Sequence, residues 1–115
     1  MAHVQTGKTK EDLRGRVLRM DELVAYEKGS VVSRTIVERE KGTVTLFAFE
    51  KGEGLSEHTA PFDALVQVLD GEAEIRVDGR PHRVKAGQFI IMPADKPHAL
   101  RAVERFKMAL VMIRS

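Results

Sequence analysis

Asp78-Gly79 restricts the fold of this chain more than any other pair of residues. An Asp-Gly pair between two strand-like runs is a strong hairpin signal, because the tight turn needs positive φ at both positions. Here it separates residues 73–77 from residues 80–84, and similar punctuation recurs along the chain. Residues 31–38 are rich in β-branched side chains, and residues 43–49 alternate Thr43, Thr45, Phe47 and Phe49 against Val44, Leu46 and Ala48. Residues 64–69 make another run, closed by Asp70-Gly71, and residues 89–92, 98–103 and 107–113 complete the set. Short runs of this kind, broken by Gly, Pro and Asp, predict an all-β chain whose strands form two antiparallel sheets. Helical periodicity extends over no more than about a turn; Met20-Asp21-Glu22-Leu23-Val24, with its acidic start, is the place for one.

A chain of 115 residues is enough for one domain with its own core. Residues 1–12 carry no periodic apolar pattern and are expected to be a mobile tail. Residues 13–115 are then a single domain that begins with an arm over residues 13–30. Leu13, Val17 and Leu18 suggest that this arm packs across the outside of a sheet. The absence of cysteine rules out disulfides, thiolate metal ligands and thiol nucleophiles. The polar N-terminal residues lack the apolar stretch of a signal peptide, and no run approaches the roughly 20 apolar residues that span a bilayer. The expected setting is the cytoplasm, with no membrane partner. A net charge of +2, with mixed signs and few aromatics, argues against nucleic acid as a partner.

Residues 65–69 in part, and residues 108–113 throughout, are apolar on both faces. A strand with one wet face should alternate, so something must cover the second face. A homodimer is expected, with Leu65, Leu69 and the final strand in the contact.

Two further stretches have informative spacing. Gly52 is followed by five residues and His58, then by Ala60, Ala64 and Gly71 at intervals of one, three and six residues. Gly87 is followed by five residues and Pro93, then Asp95, His98 and Ala102. Fifteen residues, 72–86, separate the two stretches. Together they resemble the two motifs of the cupin family of small β-barrels. The resemblance covers residues 43–113 and implies a double-stranded β-helix, a jelly-roll barrel of two antiparallel sheets. It implies no single activity, since one fold hosts many.

The resemblance also carries a metal-ligand set of two His and one Glu in the first motif and one His in the second. His58 and His98 match that set; Ala60 and Ala64 stand where the second His and the Glu would be. Alanine has no donor atom, and sites for catalytic metals use at least three protein ligands. A divalent zinc, iron, nickel or manganese ion on His58 and His98 alone would be weakly held. Asp63 and His82 are outside candidates for a further ligand. Asp63 sits where Pro61 could bend the chain, and His82 pairs with Ile75 across the Asp78-Gly79 turn, which puts it on the apolar face. Strand parity places residues 58, 60, 64, 66 and 68 on one face. The expected site is therefore an interior pocket for a small molecule, lined by His58, His98, Ala60, Ala64, Val66 and Val68. The expected role is a stand-alone ligand-binding barrel; the alternative is a metal-dependent oxygenase or isomerase with an unusual ligand set.

Overall fold

The computed structural model describes residues 4–8 and 11–114, with side chains from residue 11 onward. The strands are β1 (Val4–Lys8), β2 (Val31–Arg39), β3 (Gly42–Phe49), β4 (Gly54–His58) and β5 (Ala64–Asp70). They continue as β6 (Glu72–Val77), β7 (Arg80–Lys85), β8 (Phe89–Met92), β9 (His98–Ala102) and β10 (Phe106–Ile113). One 3-10 turn, Met20–Glu22, falls where the acidic pentapeptide suggested it. All the expected runs are strands, with ends displaced by at most one residue or so. Asp78 and Gly79 both adopt positive φ, 52° and 79°, and close the β6–β7 hairpin in the expected register of Val77 with Arg80.

Two strands had no counterpart in the sequence pattern. β4 is mostly exposed, so its residues show little apolar alternation. β1 lies within the stretch expected to be a mobile tail, and it pairs parallel with β2. Main-chain pairing at a sheet edge needs no apolar side chains, which is why neither announced itself. The rest of that expectation, residues 1–3 and 9–10, lies outside the described residues.

The strands form a six-stranded sheet, β1-β2-β3-β10-β5-β8, and a four-stranded sheet, β4-β9-β6-β7. Apart from β1 on β2, every pairing is antiparallel. The inward faces meet in a core of Val31, Phe49, Val66, Val68, Phe106 and Met108 against Ala73, Ile75, Leu100 and Ala102. Phe49 and Phe106 stack at its centre, with ring centroids 4.5 Å apart and planes within 4° of parallel.

A second apolar cluster lies on the outer face of the six-stranded sheet. There Leu23, Val24 and Tyr26 of the arm cover Leu46, Ala48, Ala109 and Leu69. The arm thus packs where it was expected to, through other residues. Of the three residues expected to pack, Val17 is fully exposed and Leu18 is exposed, while Leu13 is half-buried beside Ile36 and Val37. Polar contacts fasten the arm. The Tyr26 hydroxyl donates to Asp70, the Arg34 guanidinium donates to the Leu23 carbonyl at 3.0 Å, and Lys107 Nζ donates to the Asp21 carbonyl at 2.6 Å. Leu69 is accordingly half-buried against the arm within the chain. Among the described residues, no helix is long and apolar enough to cross a membrane.

Candidate functional site

His58 ends β4 and His98 begins β9, and the two residues are register partners. The strands approach closely here. A Cβ on Gly54 would lie 2.1 Å from the Leu100 carbonyl oxygen, so only glycine lets β4 run this near β9. The pairing then slips between Leu55 and His58, a bulge of the kind that re-aims a side chain. Two contacts tie the loops that follow β4 and precede β9. The Ala94 N–H donates to Asp63 Oδ1 and the Asp95 N–H donates to the Ala60 carbonyl, each at 2.8 Å.

The imidazoles meet edge to face, with centroids 4.3 Å apart and an interplanar angle of 73°. Their Nε2 atoms are 3.1 Å apart. His58 Nδ1 lies 2.7 Å from the Ser56 carbonyl oxygen and His98 Nδ1 lies 3.2 Å from that of Lys96. A carbonyl can only accept, so each Nδ1 carries the hydrogen and donates it. In the neutral rings both Nε2 atoms then present lone pairs to one point. A hydrogen shared between them, or a donor from a bound molecule, satisfies both. Burial holds the His98 pKa below its ordinary value, and the nearby His58 adds to this, while the bond to Lys96 opposes it. A charge on His98 is therefore disfavoured, which leaves its lone pair available to a donor.

The sequence placed both rings deep inside the barrel, and here the structure corrects it. His98 is buried at 4% exposure, but His58 is exposed, so the pair sits at the mouth. Ala60 is half-buried and Ala64 buried. Val66 and Val68 have no exposed surface and pack in the core with Phe49, Phe106 and Met108. The barrel at their level is filled by those large side chains, so these valines do not line an open pocket. Asp63 is exposed and its carboxylate oxygen is held by the Ala94 N–H; it ties loops together instead of joining the imidazoles. His82 does pair with Ile75, yet it is exposed. β7 is the last strand of its sheet, and only Val84 along it is covered.

A row that sequence reasoning missed lies at the same end of the barrel. Thr43, Met112, Ala64 and Met92 are successive register partners across β3, β10, β5 and β8. They belong to the inward parity of Phe47 and Phe49. The Thr43 hydroxyl is buried and has no hydrogen-bond partner. Across from this row, His98 pairs with Val77 of β6. The Thr43–Thr45–Phe47–Phe49 alternation was the available signal, since it assigns both threonines to the inside. A separate open groove of about 850 Å³ runs over the outer face of the small sheet. Glu74 there pairs with Arg76 and Arg101 at 3.6 and 3.8 Å, so its charges are largely compensated from within.

The fold family implies a metal, and these residues do not fit one. Two imidazoles converge, Ala60 and Ala64 offer no donor, and Asp63 is engaged elsewhere. Among the described residues no group of three or more His, Cys, Asp or Glu side chains could hold an ion.

Comparison with known proteins agrees with this geometry at the level of fold. A conserved protein of unknown function from Streptococcus pyogenes, SPY1581, has a solved structure that is 42% identical. It superposes with a TM-score of 0.84 over 89% of this chain and 90% of that one. The polyketide synthase CurC of Streptomyces cyaneus is 29% identical over 99 residues, 81% of this chain. The dimethylsulfoniopropionate lyase DddQ of Ruegeria pomeroyi is 38% identical over 58 residues, 50% of this chain. The chain spans only 64% and 29% of the lengths of these two curated relatives. The family model described as Cupin domain matches residues 45–114, so the chain belongs to the cupin family.

Proposed function

We propose that this protein is a ligand-binding cupin whose small-molecule site is the mouth of the barrel. The observation that carries this is the convergence of two Nε2 lone pairs, each ring being fixed by its Nδ1 hydrogen on a main-chain carbonyl. Such a pair accepts hydrogen bonds, so it suits a ligand bearing hydroxyl or ammonium donors. The unpaired Thr43 hydroxyl offers a second polar contact, and Ala64, Met92, Met112 and Val77 give the apolar wall. A few convergent polar groups in an apolar recess are the usual make-up of a small-molecule site. The names of the two curated relatives, a polyketide synthase and a lyase of dimethylsulfoniopropionate, fit small-molecule chemistry. The cytoplasm suits a cysteine-free chain, which needs no oxidising compartment.

The test is a titration with small hydroxy and amino acids, followed by NMR at the Met92 and Met112 methyls and the His98 ring. Saturable shifts at all three, abolished in His98→Leu, are expected. Shifts confined to other residues would overturn the proposal.

A metal-dependent enzyme is the second reading; the lyase relative favours an enzyme, and a metal would need a further ligand beside the two converging Nε2 atoms. It requires near-stoichiometric zinc, iron, nickel or manganese in the purified protein, together with turnover that chelation abolishes.

A further inference from the structure

One more rung stands above the row Thr43–Met112–Ala64–Met92 at the mouth of the barrel. The Arg114 N–H donates to the Lys41 carbonyl at 2.7 Å, one step beyond the Gly42–Ile113 pair, so the β3–β10 ladder keeps its register past the strand ends. Counted onward from the Met112–Ala64 pair, the β10–β5 register sets Arg114 opposite Phe62. The guanidinium does lie over the Phe62 ring, 5.5 Å from its centre. Side chains two residues apart on a strand share a face, so Arg114 and Phe62 carry the inward parity of Met112 and Ala64. Phe62 also belongs to the connection between β4 and β5, beside the Asp63 that holds the Ala94 N–H. Arg114 therefore stands at the rim of the mouth, on the sheet opposite the one that carries His58 and His98. It is exposed, and among the described residues no carboxylate pairs with it.

We infer, on the basis that the mouth is the ligand site, that the ligand is a small hydroxy acid: its hydroxyl donates to the Nε2 pair and its carboxylate meets Arg114. The two sides of the mouth sort the two ends of such a molecule. Both Nε2 atoms offer lone pairs, which take a hydroxyl hydrogen and repel an anionic oxygen. A guanidinium has no acceptor, keeps its charge at any working pH, and holds a planar carboxylate through two parallel N–H bonds. The Phe62 ring beneath it restricts its rotamers, so less freedom is lost when an anion docks. A hydroxyl needs a single acceptor, which the Nε2 pair supplies. An ammonium in its place would bring three hydrogens and a full charge against Val77, Met92 and Met112, which offer it nothing in return for its hydration.

Matched probes test this: lactate and its uncharged amide, lactamide, titrated into the full chain with the Met92 and Met112 methyls and the His98 ring as NMR readout. Lactate is expected to bind at least about tenfold more tightly than lactamide, as a charge-assisted pair at a half-open site provides. In Arg114→Gln lactate should fall to the level of lactamide, whose own affinity stays as in the parent. Arg114 is exposed at a strand end, so this replacement leaves the core untouched. Arg101→Gln, on the outer face of the smaller sheet, controls for net charge and should keep the parent's preference. Equal binding of the two probes at these signals would overturn the hydroxy-acid inference and leave the mouth as a site for neutral ligands. A preference that outlives Arg114→Gln would overturn it too, by assigning the anion to another cation. If neither probe shifts these signals, the mouth reading falls and the inference falls with it.

Discussion

His98 is the buried member and His58 the exposed member of a pair whose Nε2 atoms stand 3.1 Å apart. That asymmetry has a pH consequence. The pKa of His98 is lowered in the folded chain, chiefly by burial. The unfolded chain therefore binds the proton more readily, and its stability contribution is fully present above the ordinary histidine value of 6.5. Stability should decline as pH falls below that value and level off below the folded pKa. Denaturant melts between pH 5 and 8 should show this slope in the parent and a smaller one in His98→Gln. An unchanged slope in the variant would assign the effect elsewhere.

Ala64 is 3% exposed and stands between Met92 and Met112 in register. Ala60→His with Ala64→Glu would supply the two missing donors, but a carboxylate in that setting is expensive without a compensating cation. Metal-free, the double variant should be about 1–3 kcal/mol less stable than the parent. Zinc should restore much of this by mass action, while the parent responds little. Thermal melts with chelator and with added zinc decide the matter. Equal stabilisation of the parent would mean that it already holds a metal.

Asp63 reaches across the mouth to the Ala94 N–H. Asp63→Ala should cost about 1 kcal/mol through the lost bond. Because the bond ties together the loops that adjoin His58 and His98, the ring signals of both should shift in NMR spectra. Metal affinity should not change; a loss of it would make Asp63 a ligand after all.

Phe106 lies against Phe49 with no exposed surface. Phe106→Ala should lower stability by about 3–5 kcal/mol, read from denaturant midpoints. A change below about 1 kcal/mol would show that this part of the barrel is not the packed core described here.

The barrel was legible because its sheets obey local rules. Asp78-Gly79 can hardly be anything but a tight turn, and the Thr43-to-Phe49 alternation names an inside and an outside. The meeting of His58 with His98 was legible from motif spacing, since a shared register brings paired strands together whatever lies around them. Depth was not legible. Whether Val66 borders a cavity or a filled core depends on Phe106 and Met108, which are distant in sequence and meet it only after folding. His82 failed for a related reason: its parity was right, but parity cannot say that β7 is the last strand and lies beyond cover. Val17 and Leu23 look alike as sequence, and only the path of the arm separates the exposed one from the packed one.

Tyr26 lies beneath two cations, with Arg105 at 4.4 Å and Lys107 at 4.9 Å from its ring centre, while its hydroxyl is bound to Asp70. It is also the chain's single tyrosine, in a protein without tryptophan. Its emission, and the near-ultraviolet dichroism at wavelengths beyond the phenylalanine bands, thus come from one place, the seam between arm and barrel. An arm that lifts while the barrel stays folded would change these signals and leave the far-ultraviolet spectrum almost untouched. The molecule carries its own optical gauge of that single seam.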